Sequence, residues 1–262
     1  MATALVLLVQ GGCRVSALDG LIYFPERSMP APPAGVEERR FTTADGVRLH
    51  AWLAPPPDSA APLLVWSHGN GGNVGNREDV LLALAARGLG VLAYDYRGYG
   101  LSEGRAHEAG VYLDAEAAWD HAVADGVVPE RVVCFGESLG GAVSIALASR
   151  RPCAAVIVVA TFTSLRAVAR QHYGALAALA GHQFDSASRV PEIGVPILVA
   201  HGDRDEIVPY ALGEALFALA GGPKRFVRVP GLGHNDVFDS PPLLDAIAAF
   251  ARESVAAADS PR

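Results

Sequence analysis

The stretch 131–148, RVVCFGESLGGAVSIALA, constrains the fold more than any other part of the chain. Residues 131–135 form a short apolar run rich in β-branched side chains, the composition of a buried strand. Gly136-Glu137-Ser138-Leu139-Gly140 follows and fits G-x-S-x-G, after which residues 139–148 turn helical, with small side chains that let a helix lie close to a sheet. A serine lodged between a buried strand and a helix needs a sharp turn and a strained backbone, and a Cβ at Gly136 or Gly140 would collide with neighbouring main chain. The turn lifts the Ser138 hydroxyl clear of the sheet. It also aims a helix N-terminus, with free N–H groups and partial positive charge, at the group that the hydroxyl attacks. Ser138 is therefore the candidate nucleophile.

Strands and helices alternate around this unit from residue 63 onward. Segments 63–66, 89–94, 154–160, 197–200 and 226–229 read as strands, and 80–87, 107–125, 210–220 and 242–255 as helices. Upstream, 39–43 and 47–54 are joined by Ala44-Asp45-Gly46, a hairpin signal, and the apolar run 21–25 is expected to pack on the main body. The alternation predicts an α/β fold with a mostly parallel, twisted sheet of about eight strands and helices on both faces. Reactive residues in such sheets gather at the carboxyl ends of the strands, where every glycine-rich polar loop of this chain falls. The expected organisation is an N-terminal apolar segment and linker at 1–35, one α/β domain at 36–255 with a short lid insertion at 161–191, and a tail at 256–262. A chain of 262 residues suits one such domain.

A formal charge of −7 with no basic block argues against a nucleic-acid partner. Three cysteines with neither zinc spacing nor an even count, and the lack of an HExxH pattern, imply no metal, cofactor or disulfide framework. Residues 2–9 are apolar but too few to span a bilayer. Gln10-Gly11-Gly12-Cys13 has the outline of a bacterial lipoprotein cleavage site. Membrane association or export through this segment, with a lipid anchor at Cys13, stands beside packing of an apolar tail in a cytoplasmic protein.

A serine needs a base to become a nucleophile near neutral pH. His50 alternates within a strand, His107 and His121 belong to a helix, and His172 and His182 lie in the insertion. His234 differs: it sits in a loop after the last strand, where Gly231 and Gly233 allow an unusual backbone angle. A carboxylate must then fix the tautomer of the base and stabilise its imidazolium. Asp203 and Asp205 both follow the strand at 197–200, and the residues alone do not separate them. The order Ser, Asp, His is that of the α/β-hydrolases. Two N–H groups should hold the oxyanion: Leu139, after the nucleophile, and Asn70, in the loop after the strand at 63–66, with Gly71 as its alternative.

Six motifs in order carry a family resemblance: SHGNGGNVGNR at 67–77, YDYRGYGLSEG at 94–104, FGESLGGAV at 135–143, TFTS at 161–164, HGDRDEIVP at 201–209 and GLGHND at 231–236. Over residues 36–255 the chain resembles an α/β-hydrolase, and within that superfamily the Bem46-like branch with its ABHD13-type and ABHD17-type serine hydrolases. The resemblance implies Ser138 as nucleophile, Asp205 as acid and His234 as base, and places Asp95, Arg97 and Tyr99 in a structural loop beside the site.

The expected reaction is acyl transfer from an ester to water, with thioesters as a second option. Acyl-protein thioesterase or peptidase-like activity at a membrane, and a non-catalytic binding or scaffold protein, are the alternatives. Phe162, Leu165, Val168, Tyr173, Leu176, Leu179 and Phe184 of the insertion could line an acyl pocket, or form the packed face of a helix. Dehalogenase and epoxide hydrolase readings require a carboxylate where Ser138 stands.

Overall fold

The computed structural model describes residues 22–174 and 183–258. Eight strands form the main sheet: β2 (Glu37–Thr42), β3 (Arg48–Ala54), β4 (Leu63–Ser67), β6 (Gly90–Tyr94), β7 (Val132–Glu137), β8 (Ala155–Val159), β9 (Ile197–Gly202) and β10 (Lys224–Val229). Their order is β10-β9-β8-β7-β4-β6-β3-β2, and β3 runs opposite to the other seven, antiparallel to both β2 and β6. A separate two-residue pairing joins β1 (Phe24–Pro25) to β5 (Gly71–Gly72). Residues 22–25 thus lie against the main body, as expected: Tyr23 is buried in the core, and Phe24–Pro25 pair with the loop that follows β4. The expected fold class, a mostly parallel eight-stranded sheet with helices around it, is what the chain adopts.

Side chains one apart in a strand face opposite sides of a sheet, and both faces here are buried. Leu63, Val65, Cys134 and Val156 meet α2 (Glu108–Ala124), α3 (Leu139–Ala148) and α6 (Tyr210–Leu219) on one side. Leu64, Trp66, Phe135 and Ile157 meet α1 (Glu78–Ala85) and α7 (Pro241–Ala258) on the other. The insertion contributes α4 (Leu165–Tyr173), capped by the Ser164 hydroxyl on the Ala167 amide, and the short α5 (Ser186–Arg189). Strand β10 begins two residues before the apolar run because it lies at the sheet edge, where charged Lys224 and Arg225 can face solvent. Lys224 Nζ also donates to the carbonyls of Phe217 and Ala220 at the end of α6. Among the described residues, no helix is long and apolar enough to cross a membrane.

Candidate active site

Every piece of the site sits at the carboxyl end of a parallel strand. Ser138 has φ +51° and ψ −120°, a backbone conformation that L-residues rarely adopt. It is held from both sides: its N–H donates to Val159 O at 2.9 Å, and the Thr161 hydroxyl donates to its carbonyl at 2.7 Å. A Cβ on Gly136 would stand 2.2 Å from Gly140 O, and one on Gly140 would stand 1.9 Å from Ser67 O. The two glycines are therefore required by contact, as the spacing predicts.

His234 Nε2 lies 2.9 Å from Ser138 Oγ, and His234 Nδ1 lies 2.7 Å from Asp205 Oδ2. The structure separates the two aspartates. Asp203 turns away to Arg228, at 2.7 and 2.9 Å, and accepts the Gly231 amide at 2.7 Å, bracing the turn that leads to His234. Asp205 is buried and accepts the amides of Ile207 and Val208 through Oδ1. Burial alone would raise its pKa. Hydrogen bonds from His201 and His234 and from the Val208 amide outweigh burial and hold the carboxyl well below the usual carboxylate range. Asp205 thus stays ionised beside the imidazole.

His201 is a contributor that sequence reasoning passes over. Its Nε2 donates to Val208 O at 2.8 Å and lies 3.2 Å from Asp205 Oδ2. A His-Gly dipeptide at the end of a buried strand, four residues before the aspartate, was the signal available. Glu137 and Arg77 were missed as well. They pair at 2.7 Å on the wall of the cavity above Ser138, and nothing in their spacing joins two residues so distant in sequence.

That cavity has a volume of about 770 Å³. Asn70, Gly71, Leu139, Phe162, Leu165 and Val168 all line it, with Ser138 and His234. Leu139 opens α3, where an amide has no acceptor inside its own helix. The Asn70 carbonyl is occupied by the Tyr99 hydroxyl at 2.7 Å, and among the described residues its amide donates to no backbone acceptor. Phe184 is a correction. It is fully buried, with φ +52°, packs edge-on against Tyr23 and Tyr112, and gives its amide to Glu108 at 2.8 Å. It is core beneath the insertion and does not line the cavity. The Tyr173 side chain, Leu176, Leu179 and Cys13 lie outside the described residues.

His50 is more than an alternating strand residue, since its buried ring lies 3.1 Å from Asp95. Asp95 accepts the Val74 amide, while Arg97 spans Asp45 and Asp114, which ties the loop at 95–100 to its surroundings. Among the described residues no group of three or more His, Cys, Asp or Glu side chains is arranged to hold a metal ion.

A family model described as Serine aminopeptidase, S33 matches residues 58–188. The Mycobacterium tuberculosis protein Rv2307c is 41% identical, over 96% of this chain and 94% of its own length. Human alpha/beta hydrolase domain-containing protein 17B is 34% identical, over 74% of this chain and 68% of its own. Among solved structures, an esterase from Pyrococcus furiosus aligns over 90% of this chain and 98% of its own with a TM-score of 0.71 at 17% identity. The esterase domain of a Rhodothermus marinus protein aligns over 84% and 99% with a TM-score of 0.66 at 25% identity.

Proposed function

The chain belongs to the α/β-hydrolase superfamily, in the family described as Serine aminopeptidase, S33, and we propose that it is a serine hydrolase that cleaves carboxylic esters through an acyl-enzyme. The observation that carries the reading is the unbroken chain from Ser138 Oγ through His234 to Asp205 at 2.9 and 2.7 Å. In the proposed cycle Ser138 attacks the substrate carbonyl as His234 takes its proton. The amides of Asn70 and Leu139 hold the oxyanion, and His234 returns the proton to the leaving group. Water then attacks the acyl-enzyme by the same route. Phe162, Leu165 and Val168, together with Ile207 and Val208, give the cavity an apolar flank suited to a short or medium acyl chain. The likeness to the esterase domain of the Rhodothermus marinus protein supports the same reaction class.

Treatment with a fluorophosphonate followed by peptide mapping tests the nucleophile, and p-nitrophenyl esters of rising chain length test the pocket. Labelling should fall on Ser138, and Ser138→Ala should lose turnover by roughly 10⁶-fold while keeping the wild-type melting temperature. Esterase activity surviving in the variant refutes the assignment. A second reading has its own observation: Asp79 and Asp239 are among the residues that line the cavity, a negative charge suited to a substrate ammonium. Aminoacyl p-nitroanilides turned over faster than simple esters would establish that peptidase-like reading in place of the first.

A further inference from the structure

The Arg77–Glu137 ion pair has no part in the scheme so far, yet it lies against the loop that carries Asn70. Glu137 directly precedes the nucleophile. Its Oε1 accepts the Gly69 amide at 2.7 Å and receives Arg77 Nε and Nη2 at 2.9 and 2.7 Å. Arg77 Nη1 donates to Gly71 O at 2.6 Å. The residues on either side of Asn70 are thus each tied to one member of the pair. The fit is close: a Cβ on Gly69 would stand 2.7 Å from Glu137 Oε1, and one on Gly72 would stand 2.8 Å from Arg77 Nη1. Both side chains are mostly buried, 15% and 14% exposed.

We propose that the Arg77–Glu137 pair positions the Asn70 amide, gripping the loop at Gly69 N–H and Gly71 C=O and cancelling the charge that Glu137 would otherwise present to an oxyanion on Ser138. The proposal rests on the acyl-transfer reading above. Its electrostatic half follows from placement. A lone carboxylate in the cavity wall, one residue from the nucleophile, opposes a second negative charge nearby, and screening is weak where water is largely excluded. A neutral pair carries no such penalty. The geometric half follows from the planar fork of Arg, which bonds carboxylate and carbonyl at once. The ionisable groups acting on Glu137 are Arg77, from the turn before α1, and His68, at the end of β4. Burial pushes its pKa up, while Arg77 and the Gly69 amide more than offset that and keep it ionised.

The test is steady-state hydrolysis of p-nitrophenyl acetate across pH by the full chain and by Arg77→Met, Arg77→Lys and the double variant Arg77→Met/Glu137→Gln. Circular dichroism and thermal melting establish folding. In Arg77→Met, kcat should fall about 10²-fold, the cost of a misplaced catalytic group, with KM little changed. Its kcat should also decline as pH rises through the titration of the now unpartnered Glu137, a limb missing from the wild-type profile. The double variant keeps an acceptor for Gly69 but has no charge to bury, so it should lose that limb and regain part of kcat. Arg77→Lys keeps the charge without the fork, and should show the wild-type pH profile with a loss confined to kcat. A folded Arg77→Met with wild-type kcat, a loss only in KM, or a pH profile shared with the double variant overturns the proposal. If Arg77→Met does not fold, Arg77→Lys decides: wild-type kcat there overturns it. Failure of the acyl-transfer reading shows separately, as wild-type protein that neither turns over esters nor labels at Ser138.

Discussion

Two strands of the sheet end in the same dipeptide, and the two ends do different work. After β4 come His68 and Gly69, and at the end of β9 come His201 and Gly202. Both imidazoles are fully buried. Each gives one N–H to a nearby carbonyl, His68 Nδ1 to Gly69 O at 2.6 Å and His201 Nε2 to Val208 O at 2.8 Å. Among the described residues, the other nitrogen of each makes no hydrogen bond. The difference lies in the carboxylate. His201 Nε2 is also 3.2 Å from Asp205, four residues on, which in turn faces His234. The carboxylate near His68 is Asp95, on another loop, 3.8 Å away and engaged with Val74 and His50. One end supports a carboxylate that faces His234, and the other shapes the loop that carries the Asn70 amide. The dipeptide marks a tight strand end, and the chain after it decides the chemistry.

The largest expected effect separates the acid end from its surroundings. Asp205→Asn should cut kcat by up to ~10⁴-fold, because the amide can no longer fix the tautomer of His234 or stabilise its charged form. Asp203→Asn, two residues away, should change kcat only slightly, since Asp203 braces Arg228 and Gly231 rather than the imidazole. The measurement is kcat for a p-nitrophenyl ester in both variants. Equal losses would mean that the hydrogen bonds to Asp205 do not reflect its role.

What the sequence made legible follows the same division. Ser138 and His234 stand out because their signals are local: Gly136 and Gly140 sit in a turn that admits no larger residue, and Gly231, at φ +76°, sits in the turn that leads to His234. The parallel sheet was readable for a similar reason, since strands buried on both faces appear as unbroken apolar runs. The choice between Asp203 and Asp205 was not readable from residue chemistry. Arg228 and Gly231, which claim Asp203, come from the next strand and the turn after it. Phe184 misled because an apolar stripe in a mixed segment does not reveal which members turn inward, and its positive φ turns it into the core. Arg77 and Glu137 meet only through the fold.

The loop end should declare itself in acid stability. Burial, with Arg77 adding to it, lowers the His68 pKa from 6.5 to about 4. The folded state therefore favours the neutral ring more strongly than the unfolded chain does. The stabilisation is whole above pH 6.5 and is lost as pH falls toward 4. The total is about 3 kcal/mol. His68→Asn keeps a donor for Gly69 O and removes the titrating nitrogen. Urea unfolding between these pH values should show a shallower loss of stability in the variant, and parallel curves would mean that His68 is not the group responsible.

The smallest expected effect asks whether His201 acts on the acid or merely fills space. A Cβ on Gly213 of α6 would stand 2.3 Å from His201 Nδ1, so the ring is packed tightly whatever its electrical role. His201→Leu keeps most of that volume and loses the N–H, while His201→Gln returns a donor near the position of Nε2. A hydrogen bond to a charged group contributes about 1.5 kcal/mol or somewhat more, which corresponds to a roughly tenfold loss of kcat in His201→Leu. If the role is to hold Asp205, His201→Gln should recover most of that loss even where its melting temperature is no better than that of His201→Leu. If the ring only packs, activity in the two variants should follow stability, and His201→Leu, the more apolar filler, should be the better enzyme. Recovery by Gln would place both His-Gly ends in the catalytic apparatus, one behind the acid and one behind the oxyanion loop. Recovery by Leu would leave that connection to the loop end alone.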